Sequence, residues 1–350
     1  MKTILFCVNP YAFGILKPLH DELTNQNHQV LWYVPNKIRD KFNYAHEVNF
    51  TNSIEDLYRF KSDAIFVPGN ELPHYLRGVK VQVFHGLAGE KKGHFRIRNY
   101  FDLYLTQGPY FTERFIQLAK KHGDFEVVET GWCKLDTLYS NHEEFGRART
   151  ELLEKSNKKT LVLFAPTFSP SLTCAIDAKN KIFEIAEKED VYILIKFHDL
   201  MNPEVIAEYK HLASTAKNVE IVEDRNILKY MIMCDIMISD TSSVVYEFTL
   251  LDKPVITINS NSANINWKDI PNAELLRETL MDEIIQDNFK NIRRYTIEQY
   301  HPYSDGKSSA RMIAAVEEYI NKHRVPEKRK LNIYRRYLMN KMFGNRPKDL

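Results

Sequence analysis

Four short segments hold the residues best suited to chemistry, and each falls where an apolar run gives way to a turn. Phe84-His85-Gly86-Leu87-Ala88-Gly89 follows the run 79–84. Imidazole titrates near neutrality, so His85 at a strand end is either a proton acceptor for a substrate or a satisfied turn histidine. Lys196-Phe197-His198-Asp199 follows the run 191–195 and puts His198 in an equivalent place. Asp199 could also simply start the next turn. Ser239-Asp240-Thr241-Ser242-Ser243 precedes an apolar helix expected over 244–251. Consecutive hydroxyls and open N–H groups at a helix start suit a phosphate. Plain N-capping is the other reading, and the two are compatible. Asp305-Gly306-Lys307-Ser308-Ser309 opens a second helix, expected over 310–320. It reads either as an anion site or as a capped helix. It ends like a Walker loop, but that loop needs glycine where this chain has His301.

Other chemistries lack their residues. No Asp-x-Asp pair occurs for a metal held on a diphosphate, and no metal site is expected. G-x-G-x-x-G, H-E-x-x-H and G-x-S-x-G are also missing, which removes support for dehydrogenase, zinc protease and α/β-hydrolase readings. The four cysteines, Cys7, Cys133, Cys174 and Cys234, form no C-x-x-C pair and are expected as reduced thiols.

The elements that must position these segments alternate. Apolar runs at 3–8, 29–34, 64–67, 79–84, 102–106 and 125–128 alternate with helical stretches. A charged helix over 143–156 follows. The pattern then restarts at 160–164, 191–195, 219–222, 235–238 and 254–258. Continuous apolar strands between helices predict parallel sheets covered on both faces. The 350 residues suit two such domains. The expectation is two facing Rossmann-like domains, 1–140 and 141–322, with ligands at the carboxyl ends of their strands, in a cleft between them. A basic tail, 323–350, follows.

Net charge is only +2, so no nucleic-acid partner is expected. The charge is uneven, however. Ten of the 48 Lys and Arg, but two of the 46 Asp and Glu, fall within 321–350. Leu331, Tyr334, Leu338 and Met342 recur there at helical spacing, with Tyr337 beside them. Such a helix either lies on an anionic membrane through residues 323–345 or packs back onto the first domain. The start of the chain reads as a strand rather than a signal peptide, and no run is long enough to span a bilayer. The expected location is cytoplasmic, with attachment to the inner membrane face on the first of those tail readings.

In order and spacing the chain resembles the CDP-glycerol glycerophosphotransferases over residues 80–320. The matching segments are Phe84-His85-Gly86-Leu87, Gly131-Trp132-Cys133-Lys134-Leu135-Asp136, Ala165-Pro166-Thr167-Phe168, Lys196-Phe197-His198-Asp199, Ser239-Asp240-Thr241-Ser242-Ser243 and Asp305-Gly306-Lys307-Ser308-Ser309-Ala310-Arg311. Leu87, Cys133-Lys134, Asp199 and Thr241 depart from the family pattern. The resemblance implies a GT-B fold and no cofactor. It implies transfer of a polyol phosphate from a CDP-activated donor such as CDP-glycerol to a hydroxyl of a polymer or lipid-linked acceptor, releasing CMP. His85 would be the base and His198 the phosphate contact. Thr167, Asp240, Thr241, Ser242 and Ser243 would hold the donor, with Asp305, Gly306, Lys307, Ser308 and Ser309 on its other side. The rivals are a glycosyltransferase using a UDP- or CMP-sugar, a sugar-nucleotide epimerase, and a non-catalytic nucleotide-binding partner.

Overall fold

The structure is a computed structural model that describes residues 1–87, 93–140, 142–224, 227–262 and 265–348. Ala88 and Gly89 of the first histidine segment lie outside the described residues. Contacts divide the chain into two units, one of Met1–Tyr139 with Gln299–Leu350 and the other of Ser140–Glu298.

The first unit carries strands β1 (Lys2–Phe6), β2 (Gln29–Tyr33), β3 (Phe50–Thr51), β4 (Ala64–Val67), β5 (Val79–Gln82), β6 (Leu103–Thr106) and β7 (Glu126–Glu129). They pair in parallel in the order β3-β2-β1-β4-β5-β6-β7. The order reverses beside β1, as in doubly wound nucleotide-binding sheets. Ile4, Leu5 and Phe6 in β1 and all of β4 are fully buried. Burial on both faces is why these strands are apolar at every position instead of alternating.

The second unit carries β8 (Thr160–Phe164), β9 (Val191–Ile195), β10 (Val219–Ile221), β11 (Ile236–Ser239), β12 (Val255–Ile258) and β13 (Lys268–Ile270). These are parallel in the order β10-β9-β8-β11-β12-β13. The helix Ala175–Lys188 buries Ala178, Ile182 and Ile185 against Val162, Ile193, Ile238 and Ile256 of this sheet. Two strands escape the sequence reading. Phe50–Thr51 has two residues, and Lys268-Asp269-Ile270 is polar at two of three positions. Both are sheet edges, where one side of the strand has no neighbour to demand apolar residues.

The sequence reading puts 299–322 in the second domain. In the structure this stretch clusters with the first unit. The reason is a buried polar latch. Asp136 accepts hydrogen bonds from the backbone N–H groups of Ser308 (2.9 Å) and Ser309 (2.7 Å), at the start of the helix Ser308–His323. Arg311 donates to the carbonyl of Thr130 at 2.8 Å. Gly131 sits at φ +81°, and a Cβ there would come within 2.5 Å of Ser308 Oγ, so only glycine allows the approach.

The tail also packs on the first unit. The buried guanidinium of Arg329 pairs with Asp102 at 2.6 Å and Asp124 at 2.8 Å. The Pro326 carbonyl accepts from Gly78 N–H at 2.9 Å. In the helix Ile333–Phe343, Met339 is buried and the Phe343 ring meets Phe6 edge-on at 5.6 Å. Its outer side leaves Ile333, Tyr334, Tyr337 and Met342 exposed. Among the described residues no helix is long and apolar enough to cross a membrane.

Candidate active site

In the first unit the candidate residues stand where β5 ends. Phe84 has φ +60°, a left-handed conformation that costs a bulky residue of order 1 kcal/mol or more. Packing holds it there: the Phe84 ring is buried and stacks on His94 at 5.3 Å with 8° between planes. The bend turns the next residue, His85, out to solvent. Its ring leans on Tyr11, with centroids 5.2 Å apart. His85 Nδ1 lies 3.0 Å from the carbonyl oxygen of Pro68. A carbonyl only accepts, so Nδ1 carries the hydrogen, and in the neutral tautomer this leaves the lone pair on Nε2. With Nδ1 committed to that carbonyl, Nε2 is the ring atom left to face a substrate.

Two buried glutamines fix that turn, and the sequence reading missed both. Gln82 donates to the carbonyls of Val67 and Pro68, each at 3.3 Å, so it steadies the acceptor that orients His85. Gln107, fully buried just past β6, donates to the Gly86 carbonyl at 3.1 Å. The available signal at Gln82 was a polar residue on a strand read as covered on both faces, a buried polar group that needs partners.

In the second unit the equivalent position after β9 holds His198, also exposed. The Phe168 ring lies against it at 4.5 Å. Here the polarity is reversed. His198 Nδ1 accepts the Leu200 N–H at 3.1 Å, so the neutral ring carries its hydrogen on Nε2. Burial holds its pKa below the usual imidazole value; Asp199 opposes that shift and Lys196 adds to it. At neutral pH the ring offers Nε2–H as a donor.

The turn after β11 combines a clamp with free hydroxyls. Asp240 is fully buried and accepts from Thr167 N–H at 3.0 and 3.1 Å and from Cys174 N–H at 2.9 Å. Burial raises its pKa and those N–H bonds oppose the rise. It therefore shapes the 165–174 loop and is closed to a ligand, contrary to the expectation that Asp240 holds the donor. Thr241 Oγ1 is likewise engaged, accepting Asn261 N–H at 2.9 Å. Ser243 occupies the N-cap of the helix Val244–Thr249, yet its hydroxyl makes no capping bond. Ser242 is half-buried and Ser243 exposed. Capping does not account for this serine.

The second hydroxyl turn behaves differently. Ser308 and Ser309 are buried, and Asp136 takes their N–H groups. Asp305 accepts from Lys307 N–H and is gripped by Arg311 at 2.8 and 3.2 Å, which holds its carboxyl below the usual range. Gly306 turns at φ +66°. Only Lys307 of the five presents an uncommitted charged group to solvent. The expected donor contacts of Ser308 and Ser309 are thus corrected: the fold uses them. The family-like segments 131–136 and 305–311 are two halves of one latch, which their separation in sequence concealed.

Comparison with known proteins follows the same lines. The sequence model of the CDP-Glycerol:Poly(glycerophosphate) glycerophosphotransferase family matches residues 17–318. A teichoic acid poly(glycerol phosphate) polymerase of Bacillus spizizenii is 24% identical, covering 72% of this chain and 70% of the relative. A teichoic acid ribitol-phosphate polymerase, TarK of Staphylococcus aureus, is 22% identical, covering 89% and 67%. A teichoic acid glycerol-phosphate primase of Bacillus subtilis is 24% identical, covering 62% and 58%. The wall teichoic acid polymerase TagF shares the fold, with TM-score 0.66 at 17% identity over 91% of this chain and 89% of that one. So does a UDP-GlcNAc 2-epimerase from Neisseria meningitidis, at TM-score 0.63 and 15% identity over 91% and 100%. The fold therefore does not separate transferases from epimerases; the family match does.

Proposed function

This chain belongs to the CDP-glycerol:poly(glycerophosphate) glycerophosphotransferase family, and we propose that it moves a polyol phosphate from a CDP-activated donor to an acceptor hydroxyl. In this reaction the acceptor oxygen attacks the phosphorus that bears the polyol. The bond to the CMP oxygen breaks, CMP leaves, and the hydroxyl proton must go to a base. The observation that carries the reading is the opposite polarity of the two histidines: His85 offers a lone pair at Nε2, and His198 offers a hydrogen at Nε2. His85 takes the hydroxyl proton. His198 donates to a phosphate oxygen, where negative charge accumulates on the leaving side. Ser242 and Ser243 add hydroxyl donors to the diphosphate, and Thr167 lines the loop beside them. Asp240 and Thr241 support the site through the loops they hold. Lys307 remains a candidate cation for a phosphate.

Two aspects of the reading rest on other features. A polymer or lipid-linked acceptor is the kind the named relatives suggest, since they are polymerases and primases of teichoic acid. An anionic membrane surface fits the outer side of the tail helix, where exposed Ile333, Tyr334 and Tyr337 neighbour exposed Arg336 and Lys341. Flotation with anionic and neutral liposomes checks that attachment; equal binding to both overturns it.

The test of the reaction is CMP release from CDP-glycerol and CDP-ribitol with a teichoic-type primer, by the wild type and His85→Ala. Loss of the base is expected to lower kcat by about two to four orders of magnitude, while CDP-polyol affinity stays within about threefold. Near-wild-type turnover by folded His85→Ala removes His85 as the base. No CMP release by the wild type with either donor removes the CDP-polyol reading.

A further inference from the structure

A cavity of about 450 Å³ opens at the carboxyl edge of the second unit's sheet, and none of the side chains proposed above to touch the donor line it. Its walls are the loop Pro170–Cys174, Asp177 in the first turn of the helix Ala175–Lys188, Ile258 and Asn259 at the end of β12, and the segment Pro271–Glu274. We propose that this cavity holds the polyol end of the donor, an inference that rests on the CDP-polyol reading.

β12 is the direct parallel neighbour of β11, with Ser239 in register with Thr257. Neighbouring strands lie about 5 Å apart. The cavity wall at Ile258–Asn259 is therefore one strand over from the turn that presents Ser242 and Ser243. Two hydrogen bonds tie the regions together. Cys174, on the cavity wall, donates its N–H to Asp240 at 2.9 Å. Asn261, two residues beyond Asn259, donates its N–H to Thr241 Oγ1 at 2.9 Å. A group joined through one ester oxygen to a phosphate on that turn has to lie at this range.

The lining also suits the polyol better than the other parts of the donor. No lysine or arginine lines the cavity, and two carboxylates, Asp177 and Glu274, do. A phosphate is repelled there. No aromatic ring lines it either, so a nucleobase finds no face to stack on. What the walls offer is hydroxyl and amide groups, Ser171, Thr173, Asn259 and Asn272, beside carboxylates. Some of these groups already serve the fold. Thr173 Oγ1 accepts Ala175 N–H at 3.2 Å, Asn272 Oδ1 accepts Glu274 N–H at 3.1 Å, and Glu274 meets Lys181 at 3.2 Å. Each keeps spare capacity: the threonine O–H and the asparagine NH₂ still donate, and a carboxylate has about four lone-pair sites. Hydroxyls that both donate and accept match such a lining, and a polyol carries one on almost every carbon.

The test is calorimetric titration of the full chain with CDP, CDP-glycerol and CDP-ribitol, for the wild type, Asp177→Asn and Ser171→Ala. Both replaced side chains are exposed, and Ser171 lies in a loop, so at least one variant keeps the fold. The expected result is unchanged CDP affinity with CDP-polyol affinity weakened about tenfold per lost charge-assisted bond, less for Ser171→Ala. The donor more strongly affected identifies which polyol reaches further into the cavity. Equal weakening of all three ligands, or of none, overturns the assignment. Failure of the wild type to bind either CDP-polyol is a separate outcome, one that sinks the parent reading and this inference with it.

Discussion

The turns 239–243 and 305–309 look alike in sequence, each a pair of serines after an aspartate at the start of a helix, but the fold treats them oppositely. At 239–243 the aspartate is buried and turns inward to hold the 165–174 loop, so Ser242 and Ser243 stay uncommitted at the surface. At 305–309 the aspartate is exposed and pairs with Arg311, while a second carboxylate, Asp136, arrives from far along the chain and satisfies the serine N–H groups. In the first turn we propose that the anion is a phosphate of the donor; in the second it is the protein's own carboxylate. Hydroxyl content and helix position do not decide which. A distant carboxylate does.

Breaking the open turn should have the larger effect on binding. Ser242→Ala with Ser243→Ala is expected to weaken CDP-polyol binding, each lost hydrogen bond to charged phosphate contributing roughly 1.5–3 kcal/mol. The melting temperature should stay put, because the Ser243 hydroxyl caps nothing. Calorimetry and thermal melts on the same samples check both halves. Unchanged donor affinity would remove the phosphate role from this turn.

That asymmetry marks how far the sequence could be read. Strands buried on both faces were legible because their apolar runs are continuous, as in Leu161–Phe164, all fully buried. His85 and His198 were legible as strand-end residues. Their opposite tautomers were not, because Pro68 O and Leu200 N–H become partners only once loops fold. Long-range partners were also hidden. Asp136 and Ser308 are 172 positions apart, and Arg329 and Asp102 are 227 apart. Local pattern carries no information on such pairings, so the helix Ser308–His323 was placed in the wrong unit. Met339, the buried residue of the tail helix, lies outside the Leu331, Tyr334, Leu338 and Met342 stripe for the same reason.

The closed turn should reveal itself through pH. His301 accepts the Trp132 N–H through Nε2 at 2.9 Å and sits against Gly131 in the latch. Burial, aided by Arg311, lowers its pKa to about 4. An unfolded histidine binds its proton near pH 6.5. Between those values the unfolded chain holds a proton that the folded chain excludes, so stability falls as pH drops from about 6.5 to about 4. The full effect is on the order of 3 kcal/mol. His301→Gln keeps an acceptor for Trp132 but does not titrate, so its stability should depend less on pH across that window. His94, lowered to about 4 by burial, contributes equally to both proteins and cancels in the difference. Identical pH slopes from chemical denaturation would show that His301 is not held neutral by the latch.

The smallest effect is expected at Ser309, which gives the sharpest contrast with Ser243. Its N–H is bound by Asp136, but its hydroxyl is buried and finds no hydrogen-bond partner among the described residues. A buried hydroxyl without a partner has lost its hydration and gained nothing in return. Replacing it with a methyl hydrogen removes that cost and leaves the backbone bond intact. Ser309→Ala should therefore change stability by less than about 1 kcal/mol, with any change in the stabilising direction. Donor affinity should not move. Paired melts and titrations of Ser309→Ala and Ser243→Ala check this directly. If Ser309→Ala weakened CDP-polyol binding as much as Ser243→Ala does, the latch would have to open to admit the donor, and the two turns would be equivalent after all.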